Sequence, residues 1–276
     1  MTADGGKAAG ASAGGAADRG SSPRRKGSVR RADIPADVLD GLHSGALQTA
    51  TLIEQLALDF GRLTREALPD ADPRVARELD AMADAPVTGR MRRAGELLHE
   101  TLGDTAFEQL RAHRSDTVRA WSAFALVTRP RLTLNQGIKL LRPLADDDHF
   151  CVREWAWLAL RPQLVAAPLE AIQRFEPWTS SRSENLRRFA SEATRPRGVW
   201  CKHIAEFKQD PALGLPVLEP LRADPSRYVR DSVANWINDA TRTRPGWVRD
   251  VCARWTRESP CDETAAIVKR ATRTLK

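Results

Sequence analysis

The sequence predicts an all-α protein: a right-handed α-solenoid of stacked two-helix units with a concave basic face. Three observations carry this. Strand signals are almost absent, with few alternating β-branched runs and a single Tyr, although β-branched and aromatic residues are what a pleated strand selects. Helical spacing of apolar residues, punctuated by Pro, recurs to the end of the chain. Finally, five segments superimpose: VRAWSAFAL, VREWAWLALRP, LRRFASEATRP, VRDSVANWIND and VKRATRTL. They begin at Val118, Val152, Leu186, Val229 and Val268, at spacings of 34, 34, 43 and 39 residues. A two-helix unit of ~40 residues is the signature of HEAT-like repeats, each of which buries its apolar stripe only against its neighbours.

In chain order, residues 1–32 are rich in Gly, Ala and Ser and end in the cations Arg24, Arg25, Lys26, Arg30 and Arg31. Such a composition cannot repay the entropy of folding, so a disordered basic arm is expected over 1–32 and the repeat domain over 33–276. Val38, Leu39 and Leu42, a break at Gly45, then Leu52, Ile53, Leu56, Phe60 and Leu63 describe a helical hairpin. Residues 73–98 supply one or two helices and 105–111 another. Between the repeat segments, second helical runs are expected over 164–175, 200–207 and 247–255.

A formal charge of +7, from 43 Lys and Arg against 36 Asp and Glu, and a pI near 9.7 favour a polyanionic partner. Cys151, Cys201, Cys252 and Cys261 form no CxxC pair, so neither a zinc motif nor a disulfide framework is legible, and no cofactor or metal is expected. No apolar run approaches the ~18 residues of a membrane span, and Arg24–Arg25 lack the apolar segment of an export signal. A cytoplasmic, nucleoid-associated monomer is expected.

Counting each repeat segment from its Val or Leu, offsets three, four, seven and eight form the buried stripe, which takes in Trp121, Trp155 and Trp236. Offsets two, five, six and nine point elsewhere, and stacking should align them into one surface. That surface carries Glu154, Arg188 and Asp231; Trp157; Glu192 and Asn235; and Arg161, Arg195 and Asn238. With Arg187, Arg197 and Arg230 added, it combines carboxylates, an indole, amides and a cluster of guanidiniums suited to phosphates.

The segments VREWAWLALRP, ASEATRPRGVW and YVRDSVANWINDATRTRP resemble the motifs of the bacterial alkylation-repair DNA glycosylases built from HEAT-like repeats, the AlkC/AlkD group. The AlkC branch is the nearer, and the resemblance extends upstream through HRSDTVRAW and the helices of 42–60. It implies hydrolysis of the N-glycosidic bond of cationic alkylated purines, N3-methyladenine and also N7-methylguanine, in duplex DNA during base excision repair. A Trp-x-x-x-Asp pair of the AlkD branch would fall on Glu154 and Leu158, and its second Trp on Asn235, so this chain departs from that branch. Glu192 or Glu154 is therefore expected as the carboxylate, Trp157 as the aromatic and Asn235 as a positioning amide. Arg161, Arg187, Arg188, Arg195, Arg197, Arg230 and Asn238 are expected to hold DNA. The chain ends at Lys276 just after the last repeat segment, without the immunoglobulin-like domain of some AlkC-like proteins; the basic arm is expected to replace it. Two other classes fit the same architecture, a non-catalytic binder of distorted or branched DNA and a protein–protein adaptor. An adaptor should expose an apolar groove.

Overall fold

The computed structural model describes residues 25–275. Sixteen α-helices follow one another: α1 Ala36–His43, α2 Leu52–Ala57, α3 Phe60–Ala67, α4 Pro73–Ala81, α5 Val87–Leu102, α6 Ala106–Arg111, α7 Asp116–Val127 and α8 Leu134–Ala145. The second half continues with α9 Phe150–Ala166, α10 Pro168–Phe175, α11 Glu184–Ala193, α12 Ala205–Gln209, α13 Leu215–Leu218, α14 Arg227–Ala240, α15 Pro245–Glu258 and α16 Asp262–Ala271. Among the described residues there is no strand, and no helix is long and apolar enough to cross a membrane.

The five repeat segments lie in α7, α9, α11, α14 and α16, and each of these helices packs against the next, so the protein is a helical-repeat solenoid. Their starts are encoded locally. Ser115 accepts from the Val118 amide, Ser183 from Leu186 and Ser226 from Tyr228, satisfying amides that a helix start leaves unpaired. Thr133 and Gln136 close a capping box at α8. Trp121, Trp155, Trp236 and Trp255 are fully buried between the helices. Gly214 permits one such contact, since a Cβ there would stand 2.4 Å from the Trp236 ring.

A second repeat signature is polar. The residue after the leading Val or Leu is Arg in four segments, and its guanidinium folds back onto carbonyls before its own helix. Arg119 Nη1 donates to His113 O and Arg114 O, Arg153 Nη1 to Asp147 O, Arg187 Nη1 to Ser181 O and Arg182 O, and Arg230 Nη1 to Asp224 O and Pro225 O. Two of them also grip the carboxylate opening the next repeat, Arg119 on Asp147 at 2.9 and 3.1 Å and Arg187 on Asp224 at 2.6 and 3.0 Å. A bidentate guanidinium fixes orientation as well as distance, so these pairs set the register between repeats.

One helix boundary differs from expectation. No helix covers 200–204; the chain runs from the end of α11 through an irregular loop to α12, with Trp200 at φ +59°. Residues 1–24 of the expected arm lie outside the described residues. Of its last residues, Arg25 donates twice to Glu54 at 2.6 Å, and the Ser28 amide donates to the same carboxylate at 3.0 Å.

Candidate active site

The stacked helices α9, α11 and α14 carry a continuous polar chain. On α9, the Trp157 indole N–H donates to Glu154 Oε2 at 2.9 Å. The other oxygen of Glu154 lies 2.6 Å from Arg188 Nη2 on α11. That same nitrogen is 3.6 Å from Glu192 Oε2, one turn further along α11. Glu192 is completed by Arg195 Nη1 at 2.7 Å and by the hydroxyl of Ser232, on α14, at 2.7 Å. Arg195 in turn grips Asp239 at 3.0 and 3.2 Å. Three adjacent repeats are thus joined by alternating charges, and the two expected carboxylates meet across one guanidinium.

Burial separates the two carboxylates. Glu192 is only 5% exposed, whereas the Glu154 side chain is 31% exposed. Burial alone would raise the Glu192 pKa, but Arg188, Arg195 and the Ser232 hydroxyl more than offset it and hold the carboxyl below the usual range. Burial likewise opposes charge on Arg188, and Glu154 and Glu192 outweigh it, so its pKa is raised. The Arg188 guanidinium also lies over the Tyr228 ring, 4.4 Å from its centroid. Tyr228 is held by Arg153, whose Nε and Nη2 donate to its hydroxyl at 3.2 and 3.1 Å.

Trp157, expected on an open face, is 3% exposed. The loop after α11 covers it: a Cβ on Gly198 would stand 3.3 Å from the Trp157 ring. Arg161 anchors that loop. All three of its nitrogens donate to carbonyls, to Lys202, Ala193 and Arg195 at 2.9, 2.9 and 2.8 Å. At 2% exposure its guanidinium is turned inward onto this loop rather than out toward a phosphate. Arg187 and Asn238, also expected to hold DNA, are likewise engaged within the protein. Arg187 is engaged by Asp224 and loop carbonyls, and Asn238 donates to Ala271 O and Thr274 Oγ1. Arg188 and Arg195 serve the carboxylate network, and Arg230 caps its own helix start. Arg197 keeps its terminal nitrogens clear, with only Nε donating, to Asp239 O. Asn235 accepts from Arg270 and Arg273 at 3.2 and 3.1 Å and makes no hydrogen bond to the Trp157–Glu192 chain.

The sequence reading missed Ser232, Tyr228 and Trp200. Ser232 sits at offset three of its segment, a position read as apolar packing, and Tyr228 precedes its segment by one residue. Trp200 is 48% exposed, next to exposed Val199, and its ring stacks on Trp155 at 6.4 Å and 21°. A bulky residue at positive φ is rare, and such strain persists only where its surroundings hold it. The run Gly198-Val199-Trp200 after Pro196 was the available sign that the helix had ended.

Stacked two-helix units with guanidinium-fixed register, crossed by a carboxylate chain, define a HEAT-like-repeat protein. No family profile matches the chain. It is 32% identical over 229 residues to YhaZ of Bacillus subtilis, an uncharacterized protein, covering 80% of this chain and 62% of that one. Among solved structures it is similar to the alkylpurine DNA glycosylase AlkC of Pseudomonas fluorescens, bound to DNA containing an abasic-site analog. That likeness has a TM-score of 0.64 at 26% identity, over 86% of this chain and 61% of AlkC. AlkD2 of Streptococcus mutans is more distant, at a TM-score of 0.48 and 20% identity. The chain is similar to the AlkC/AlkD group of HEAT-like-repeat proteins. It spans little more than three fifths of the length of the relatives it matches.

Proposed function

We propose that this protein is a DNA glycosylase that releases cationic alkylated purines, N3-methyladenine and N7-methylguanine, from duplex DNA. The observation that carries the reading is the meeting of Glu154 and Glu192 across Arg188, beside Trp157. Similarity to AlkC supports it. An N3- or N7-alkylated purine is already a cation and leaves without a general acid. What the site must supply is a carboxylate beside the sugar, to stabilise developing oxocarbenium charge and to orient water.

Glu154 is the better placed carboxylate, because it reaches the surface while both its oxygens are oriented, by Trp157 and by Arg188. Glu192, sealed by three donors, is a positioning residue that holds Arg188. Trp200 presents an indole face for stacking or cation–π contact with the damaged nucleotide, a contact worth about 0.5–2 kcal/mol. Phosphates would be held by cations left clear of the internal network, Arg182, Arg197 and Lys202, with the basic residues of 1–32 as a further electrostatic attachment. These cations would make up the basic face of the solenoid.

A non-catalytic DNA binder would need the cations alone. Incubation with methylated duplex DNA, followed by chromatography of the freed bases, separates the two. Release of 3-methyladenine or 7-methylguanine is expected; no release alongside intact DNA binding would reject the enzyme.

A further inference from the structure

The starts of α7 and α9 meet the loop before α2 in a buried cluster that the proposed reaction does not use. Asp116 is the first residue of α7, His149 the N-cap of α9 and Cys151 the second residue of α9. One donor atom from each lies within 4.8 Å of the other two. Thr49 closes the fourth side. Its amide and hydroxyl donate to the two Asp116 oxygens at 3.1 and 2.6 Å, and its Oγ1 is 3.7 Å from Cys151 Sγ.

The histidine tautomer follows from its neighbours. Nε2 is 2.6 Å from the Thr49 carbonyl oxygen, which only accepts, so Nε2 carries the ring hydrogen. In the neutral ring Nδ1 then presents a lone pair. That nitrogen is buried, has no hydrogen-bond partner, and faces Asp116 Oδ2 at 3.5 Å. Two acceptors facing each other repel, and a cation between them turns the repulsion into ligation.

We propose that Asp116, His149 and Cys151 bind a zinc ion, with the Thr49 hydroxyl as the fourth donor, pinning the loop before α2 to the ends of two repeat helices. With bonds of ~2.0–2.3 Å, tetrahedral zinc ligands stand about 3.3–3.8 Å apart, a spacing the His149–Asp116 and Thr49–Cys151 separations meet and to which the hydrogen-bonded Thr49–Asp116 pair, at 2.6 Å, opens on binding. A thiol and an imidazole favour zinc over magnesium or calcium. A thiolate and a carboxylate balance the two positive charges in a largely buried site. The Nε2–H bond to a backbone carbonyl is the outer contact that usually orients a metal-bound histidine. Four filled positions make the site structural. Without a metal, burial pushes the Cys151 thiol far up, leaving it inert.

The test is independent of the glycosylase reading, and uses the full chain, stripped with a chelator and titrated with Zn2+ alone. Binding of about one equivalent and a raised thermal midpoint are expected, and with Co2+ a thiolate charge-transfer band alongside visible d–d bands. Cys151→Ser and His149→Ala should weaken Zn2+ affinity about tenfold or more, while Cys252→Ser should retain it. A measurement on the unaltered protein guards against misfolded variants: Zn2+ should slow alkylation of Cys151 by iodoacetamide in mild denaturant, read by mass spectrometry. Absence of binding, full affinity in Cys151→Ser, or alkylation indifferent to Zn2+ would each overturn the site and assign the cluster to a buried thiol beside a histidine–carboxylate pair.

Discussion

The indole N–H of Trp157 donates to Glu154 Oε2 at 2.9 Å, one helical turn away on α9. This contact aims the carboxylate proposed to face the sugar, and it explains why a Trp sits at a position that points away from the apolar stripe. Glu154→Gln keeps the shape but removes the charge. Base release should fall about 10²–10³-fold, the scale of losing one transition-state electrostatic contact, with DNA affinity retained. Trp157→Phe should cost less, about tenfold, by freeing the Glu154 rotamer. Single-turnover rates on a defined lesion duplex check both; wild-type rates in Glu154→Gln would remove it from the site.

Glu192 belongs to a buried network, so its replacement should be read first in stability. Glu192→Gln leaves Arg188 and Arg195 short of a counter-charge where burial opposes charge, a loss of about 3 kcal/mol or more. Urea unfolding measures it. A change within 0.5 kcal/mol, a bound typical of exposed sites, would show that water reaches the network.

Arg161 and Arg197 separate scaffold from grip. Arg161→Ala removes the donors to three carbonyls, one of them fully buried, and should lower stability by roughly 3 kcal/mol, with an unchanged salt slope of DNA binding in the protein that remains folded. Arg197→Ala and Lys202→Ala should leave stability alone, weaken binding for all sequences, and each reduce the log K against log salt slope by about 1.

Glu54 gives a pH signature. Burial would raise its pKa, but Arg25 and the Ala50 and Ser28 amides together bring it down to about 2. A depressed carboxylate contributes stability that is complete above its unfolded pKa, near 4.5, and is lost as pH falls through the folded value. Glu54→Gln should therefore lower stability by about 2 kcal/mol at pH 7. The wild-type advantage should shrink from pH 5 downward, as followed by denaturation at several pH values.

Trp200→Ala should lower base release and weaken DNA binding while leaving the thermal midpoint within about 2 °C, because the indole is half exposed and Ala, which keeps the Cβ, leaves the strain of the positive φ unchanged. A midpoint drop of more than that, with full activity, would assign the stacking on Trp155 to packing alone.

The sequence by itself determined the fold class, the order of the helices and the stacking of five repeat segments. Those are set by local chemistry: apolar spacing at 3.6 residues, Ser and Thr caps, and the absence of strand formers. It also put Glu154, Trp157 and Glu192 forward as candidates on one expected surface, because stacking carries a repeat offset from one helix to the next, but the meeting of the two carboxylates across Arg188 came from the tertiary structure. Which arginines are free was decided only by tertiary structure. Arg161, Arg187 and Arg197 are alike as letters, yet one serves three carbonyls, one a carboxylate and a helix start, and one keeps its terminal nitrogens clear, since their partners come from segments up to 42 residues away. The loop that buries Trp157 and exposes Trp200, and the gathering of Asp116, His149 and Cys151 around Thr49, are of the same kind. No periodicity encodes them, because each depends on how irregular backbone between the repeats folds back over the helices.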